Sequence, residues 1–135
     1  MTTDPRALLE AYYTAFNAGE TGKMVGLVTD DVVHDVNQGE RRTGKEDFWA
    51  FNLLMSKSYK ERLSDIYLMI SRDGTRGAAE FIVHGTYLET AEGLPKATGQ
   101  TYTLPAGTFF EFRDGKISRI TTYYNLNDWI AQVSA

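Results

Sequence analysis

Residues 101–126 read TYTLPAGTFFEFRDGKISRITTYYNL. Two runs rich in Thr, Tyr, Phe and Ile flank Asp114-Gly115. That dipeptide favours a tight hairpin because both residues tolerate positive φ. Strands are therefore predicted over residues 101–113 and 117–126. The pattern repeats upstream, where Asp73-Gly74 separates predicted strands 61–70 and 77–89. Between the two hairpins, residues 91–99 hold Gly93, Pro95 and Gly99 and read as a longer loop. A shorter strand is predicted over 32–37 and a terminal helix over 128–133.

The N-terminal part is helical. Asp4-Pro5 pairs a cap residue with proline at the first helical position. Leu9, Tyr12, Tyr13 and Phe16 follow at helical spacing, and Gly19 is a natural stop. A second helix is predicted over 22–28, with Met24, Leu27 and Val28 buried. Thr43 and Glu46 have capping-box spacing, opening a third helix to about Ser58 with Phe48, Phe51 and Met55 on one stripe. Helices followed by a run of hairpin-linked strands define an α+β class. A strongly curved antiparallel sheet wrapped around the helices would leave an internal pocket, the usual place for a small ligand.

The 135 residues suit one domain, 1–135. With 42% hydrophobic and 24% charged residues the composition is that of a globular protein. A net charge of -4 argues against a broad basic nucleic-acid face. With no cysteine there is no disulfide, thiolate metal site or cysteine nucleophile. No apolar run approaches the roughly 18–20 residues of a membrane helix. Residues 1–13 lack the basic-then-apolar pattern of a signal peptide, so a cytoplasmic location is expected. No glycine-rich phosphate loop, serine-centred nucleophile elbow or HxH or HExxH spacing is present, and Arg41-Arg42 is too short for a nucleic-acid patch. Neither a cofactor nor a metal is expected. The expected partner is a small hydrophobic molecule, with no nucleic acid and no membrane.

The segments Tyr12-Tyr13-Thr14-Ala15-Phe16-Asn17-Ala18-Gly19 and Thr29-Asp30-Asp31-Val32-Val33-His34-Asp35 resemble the opening of the NTF2-like superfamily. The likeness is to its SnoaL-like and ketosteroid isomerase-related branch. Phe109-Phe110-Glu111-Phe112-Arg113-Asp114-Gly115-Lys116-Ile117 is similar to that branch's last hairpin, and Tyr123-Tyr124-Asn125 to its ending. The resemblance spans nearly the whole chain. It implies a cone-shaped α+β fold with a pocket between sheet and helices, often in a homodimer. Tyr12 falls at the family's oxyanion tyrosine. Asp35 or Val36 falls at its base position, depending on where one missing residue lies. Thr108 stands where the isomerase has its second oxyanion acid, which makes true steroid isomerisation doubtful. Asn125 stands where many relatives have an aspartate.

Alternation places Asp35 and Asn37 on one face of their strand, and His34 and Val36 on the other. Asp35 is expected to face the cavity as a general base, with Asn37 bonding substrate; a one-residue shift would put His34 there instead. His84 is a candidate proton carrier or a structural histidine. Glu111 is expected to pair with a neighbour on the outer face, Glu80 and Arg119 being the candidates, or else to be a second buried acid. Trp49, Tyr123 and Tyr124 are pocket walls or core, and Tyr12 is an oxyanion donor or core. The candidate catalytic set is Asp35, Tyr12 and His84; the candidate binding set is His34, Asn37, Trp49, Thr108, Tyr123 and Asn125. The function this implies is cofactor-independent acid/base chemistry, isomerase- or cyclase-like, on a carbonyl-bearing or polycyclic molecule. The alternative is a non-catalytic ligand-binding or dimerisation module. Thr121, Thr122, Tyr123 and Tyr124 fit both faces of one strand for burial, so a homodimer through the sheet is expected.

Overall fold

The computed structural model describes residues 4–134. Its order is α1 (Pro5–Ala18), α2 (Thr21–Val25), β1 (Val28–Val36), β2 (Arg42–Thr43), α3 (Lys45–Ser58), β3 (Tyr59–Ile70), β4 (Arg76–Tyr87), β5 (Thr101–Arg113), β6 (Lys116–Tyr124) and α4 (Leu126–Ser134). The six strands form one curved, open sheet in the order β2-β1-β6-β5-β4-β3. Four junctions are antiparallel and one, β1 with β6, is parallel. The α+β class is as expected, but the sheet is mixed, because β1 pairs antiparallel with β2 on one side and parallel with the last strand, β6, on the other.

Local chemistry sets the element ends. Gly19 adopts φ 71° and closes α1 with backbone bonds to Ala15 and Phe16. Asp114 and Gly115 both have positive φ, 54° and 73°, as a tight hairpin turn requires. The second helix ends at Val25, short of the expected 28, and Val28 already opens β1. The capping box expected at Thr43 does not form: Gly44 is the N-cap of α3, with no side-chain cap bond. Three register shifts interrupt the ladders. One lies between Val28 and Val33, one between Glu111 and Phe112, and one between Ser64 and Tyr67, where Asp65 has φ 52°.

The apolar face of α1 packs on the inner face of the sheet. Leu9, Val28, Val32, Tyr87, Phe110 and Ile117 are all fully buried there. Tyr12, Tyr13, Phe81 and Phe110 meet edge to face or tilted, with centroids 5.3–6.2 Å apart. Among the described residues no helix is long and apolar enough to cross a membrane.

Candidate active site

A cavity of about 560 Å³ lies between the inner sheet face, α1, α3 and α4. Its walls are largely apolar: Phe16 from α1, Phe51 and Met55 from α3, Leu63, Phe81, Val83, Leu104 and Ile120 from the strands, and Trp129 from α4. A few polar groups converge on it, the usual composition of a small-molecule site.

His34 is one of them. Along β1, Val32, His34 and Val36 share the inward phase, and Val32 is fully buried. The imidazole stands edge-on to Phe48 and Phe51, at 5.3 and 4.7 Å between centroids. Arg42 stacks over the Phe51 ring at 4.2 Å. Burial, and then the charge of Arg42, push the His34 pKa down to about 4; Asp35 opposes them. The imidazole is therefore neutral at pH 7. Its Nδ1 is buried and has no hydrogen-bond partner among the described residues.

Two phenols project from α1. Burial raises the pKa of both, with Tyr13 adding to the rise at Tyr12 and the Thr108 hydroxyl offsetting part of the rise at Tyr13. Both therefore stay protonated at neutral pH. The Tyr13 hydroxyl is buried, and the Thr108 hydroxyl beside it falls outside hydrogen-bond geometry, so the phenol has no partner among the described residues. Thr108 and Thr122 line the same region, with their hydroxyl oxygens 3.0 Å apart.

Glu61 is the fourth polar feature. It lines the cavity, and its Oε2 accepts a hydrogen bond from the Tyr102 hydroxyl at 2.5 Å. Burial raises its pKa, and the Tyr102 bond only partly counters this. Sequence reading missed Glu61. Its inward phase was signalled by Tyr59 and Leu63 two residues either side, but Asp65 inverts the alternation before Ile66, Leu68 and Ile70, so the strand as a whole shows no clean period.

Asp35 does not face the cavity, contrary to expectation. It lies on the outer face, 8% exposed, where it accepts bonds from Arg41 at 2.8 and 2.9 Å and from Thr121 at 2.7 Å. The Arg41 guanidinium holds its carboxyl below the usual carboxylate range. The reason is phase: burial of Val32 and His34 turns every odd residue of this stretch outward. His84 is also outside, because Phe81, Val83 and Tyr87 take the inward positions of β4. Its Nε2 lies 2.7 Å from Ser64 Oγ. Asn37 stitches β1 to β6 by accepting from the Tyr124 amide at 2.8 Å and donating its own amide to Thr122. Asn125 accepts from the Asp128 amide in the first turn of α4. Trp49 and Tyr123 are 43% and 40% exposed and line no part of the cavity; Tyr123 alternates with the inward Tyr124 on β6, and Trp49 follows the buried Phe48 around α3 toward solvent. Thus Tyr12, His34 and Thr108 of the candidate set share the cavity, whereas Asp35, Asn37, Trp49, His84, Tyr123 and Asn125 do not. Glu111 lies on the outer face and pairs with Arg119, as expected.

The mixed sheet, the helices beside it and the cavity between them define an NTF2-like α+β protein. The SnoaL-like domain family matches residues 9–120, and the chain belongs to it. A proposed polyketide cyclase from Pseudomonas putida KT2440 shares 56% identity, with 98% of each chain covered and a TM-score of 0.94. Another from Silicibacter sp. TM1040 shares 53% identity over 99% of this chain and 98% of its own, with a TM-score of 0.95. An NTF2-like protein of unknown function from Burkholderia pseudomallei, 15% identical, shows the fold alone; 99% of this chain and 100% of that one are covered at a TM-score of 0.82. No curated protein matches the chain.

Proposed function

We propose that the chain is a cofactor-independent acid/base enzyme, cyclase- or isomerase-like, acting on a small hydrophobic carbonyl compound. The observation that carries this reading is His34: a neutral imidazole that lines an apolar cavity. Removal of a proton alpha to a carbonyl needs a base in its unprotonated form, and His34 holds that form above about pH 4. Negative charge then develops on the carbonyl oxygen. Tyr12 or Tyr13 donates to it, and neutral donors fixed in a dry site stabilise such charge strongly. A base of low pKa suits an activated carbon acid, such as a carbon between two carbonyls or one conjugated to an enone. The relatives described as proposed polyketide cyclases support that substrate chemistry.

The test is deuterium incorporation alpha to the carbonyl across cyclic diketones and enones. Exchange is expected in the wild type, to be lost in His34→Gln, and to fall by roughly 10²–10³ in Tyr12→Phe. Full-rate exchange in His34→Gln would remove His34 as the base. Binding of a ketone without exchange would favour a ligand-binding module instead.

A second copy covering the outer sheet face belongs to the same proposal. Phe109, Tyr123, Tyr67 and Met69 are 40–66% exposed there, and Phe109 and Tyr123 meet edge to face at 5.9 Å. Such a patch marks an association surface.

A further inference from the structure

Glu61, Gly85 and Tyr102 are register partners on three adjacent strands: Glu61 opposes Gly85, and Gly85 opposes Tyr102. A side chain at the middle position would collide with its neighbour, since a Cβ on Gly85 would lie 2.2 Å from the Tyr102 ring. The missing side chain lets Tyr102 lie across β4 and reach Glu61 on β3. Trp129 of α4 holds the tyrosine ring from the side, 5.9 Å between centroids. The carboxyl is thus gripped through Oε2 and has no salt-bridge partner among the described residues.

The grip determines where a proton must sit. Tyr102 donates into Oε2, so a proton on this carboxyl belongs on Oε1, leaving a directed O–H donor in the cavity. This end of the cavity is distinct from that of His34. His34 packs on Phe51, seven residues before the end of α3 at Ser58, and Glu61 follows three residues after that end. Seven helical residues span about 10 Å. We propose that Glu61, positioned by Tyr102, is a second binding point that donates a hydrogen bond to a neutral carbonyl or ether oxygen at the end of the ligand remote from His34. This rests on the reading of the cavity as a site for hydrophobic carbonyl compounds, and it adds that the ligand carries an oxygen at each end.

The state of the carboxyl makes the site pH-dependent. Burial raises the Glu61 pKa, so the donor form persists above the usual carboxylate range and is lost as pH rises further. The groups around it do not share that titration. Tyr59 on the same strand is pushed up to about 12, and Tyr102 and Tyr124 from the neighbouring strands are also raised. His34 titrates near 4. Lys60 lines the same cavity, and Lys60→Met serves as its control.

The probe is 2,6-diacetylnaphthalene, a rigid bicycle with one carbonyl at each end. Its binding is followed by Trp129 fluorescence in a Trp49→Phe background. Affinity is expected to fall about tenfold or more between pH 5 and pH 9, in Lys60→Met as in the parent. Glu61→Gln keeps an N–H donor without a titration, so it should bind at near the pH 5 affinity throughout. Glu61→Leu should be weak and pH-independent. A parent affinity that does not change with pH, a Glu61→Gln that retains the pH dependence, or failure of the diketone to bind overturns the proposal. The two readings fail separately: pH-dependent binding without any exchange removes the chemistry and leaves this site, and exchange with pH-independent binding does the reverse.

Discussion

Asp35 and His34 are neighbours in sequence with opposite fates. Asp35 serves stability, because its three accepted hydrogen bonds tie the β2 approach to β6. Asp35→Asn should leave isotope exchange unchanged while lowering stability by about 1–2 kcal/mol, measured by urea titration. Loss of exchange in a folded Asp35→Asn would restore it as the base. His34 protonates near pH 4 in the folded chain, against an ordinary imidazole value of 6.5. The unfolded chain therefore takes up the proton first, and stability should fall as pH drops from about 6.5 to about 4, by roughly 3 kcal/mol. Asp35, whose folded pKa is depressed, adds stability above about 3.8 that disappears as pH falls further. Thermal melts of His34→Gln should lack the first phase and keep the second. The residues of this stretch were legible but their phase was not, since Val32 and Val33 are adjacent and identical. Alternation separated His34 from Asp35 correctly; only burial of Val32 chose between the two faces.

At the scale of elements, what could be read depended on whether a glycine marked the irregularity. Asp73-Gly74 and Asp114-Gly115 announced their turns, and Gly19 announced the end of α1, because each needs a positive φ that glycine supplies readily. The Asp65 bulge has no glycine and was invisible, and with it the inward setting of Glu61. The parallel pairing of β1 with β6 joins segments more than eighty residues apart, which no local pattern reports. Gly85 illustrates the converse: a glycine inside a strand signals a close approach, here by the Tyr102 ring. Gly85→Ala should destabilise the chain by about 1–3 kcal/mol through overpacking, read as a lower Tm. The double variant Gly85→Ala with Tyr102→Ala should recover part of that loss. No recovery would mean that the collision lies elsewhere.

Across the whole molecule, the two faces of the sheet do different work. The inner face is divided between cavity and core. The outer face carries aromatic rows beside a charged cluster in which Arg119 and Arg76 flank Glu111, and Arg113 meets Asp31. If a second copy covers the aromatic rows, light scattering should give twice the 15.2 kDa chain mass at micromolar concentration. Phe109→Lys with Tyr123→Lys should then give the single-chain mass with an unchanged far-ultraviolet spectrum. A wild type at the single-chain mass would end the dimer proposal. The division of the inner face traces to Asp65. Before it the odd-numbered residues Tyr59, Glu61 and Leu63 point inward, and after it the even-numbered Ile66, Leu68 and Ile70 do. One surplus residue thus acts as a parity switch, letting a single strand serve a hollow half and a solid half of the protein. Removing it would force a choice: keep the carboxyl in the cavity and turn three core side chains to water, or keep the core and lose the carboxyl.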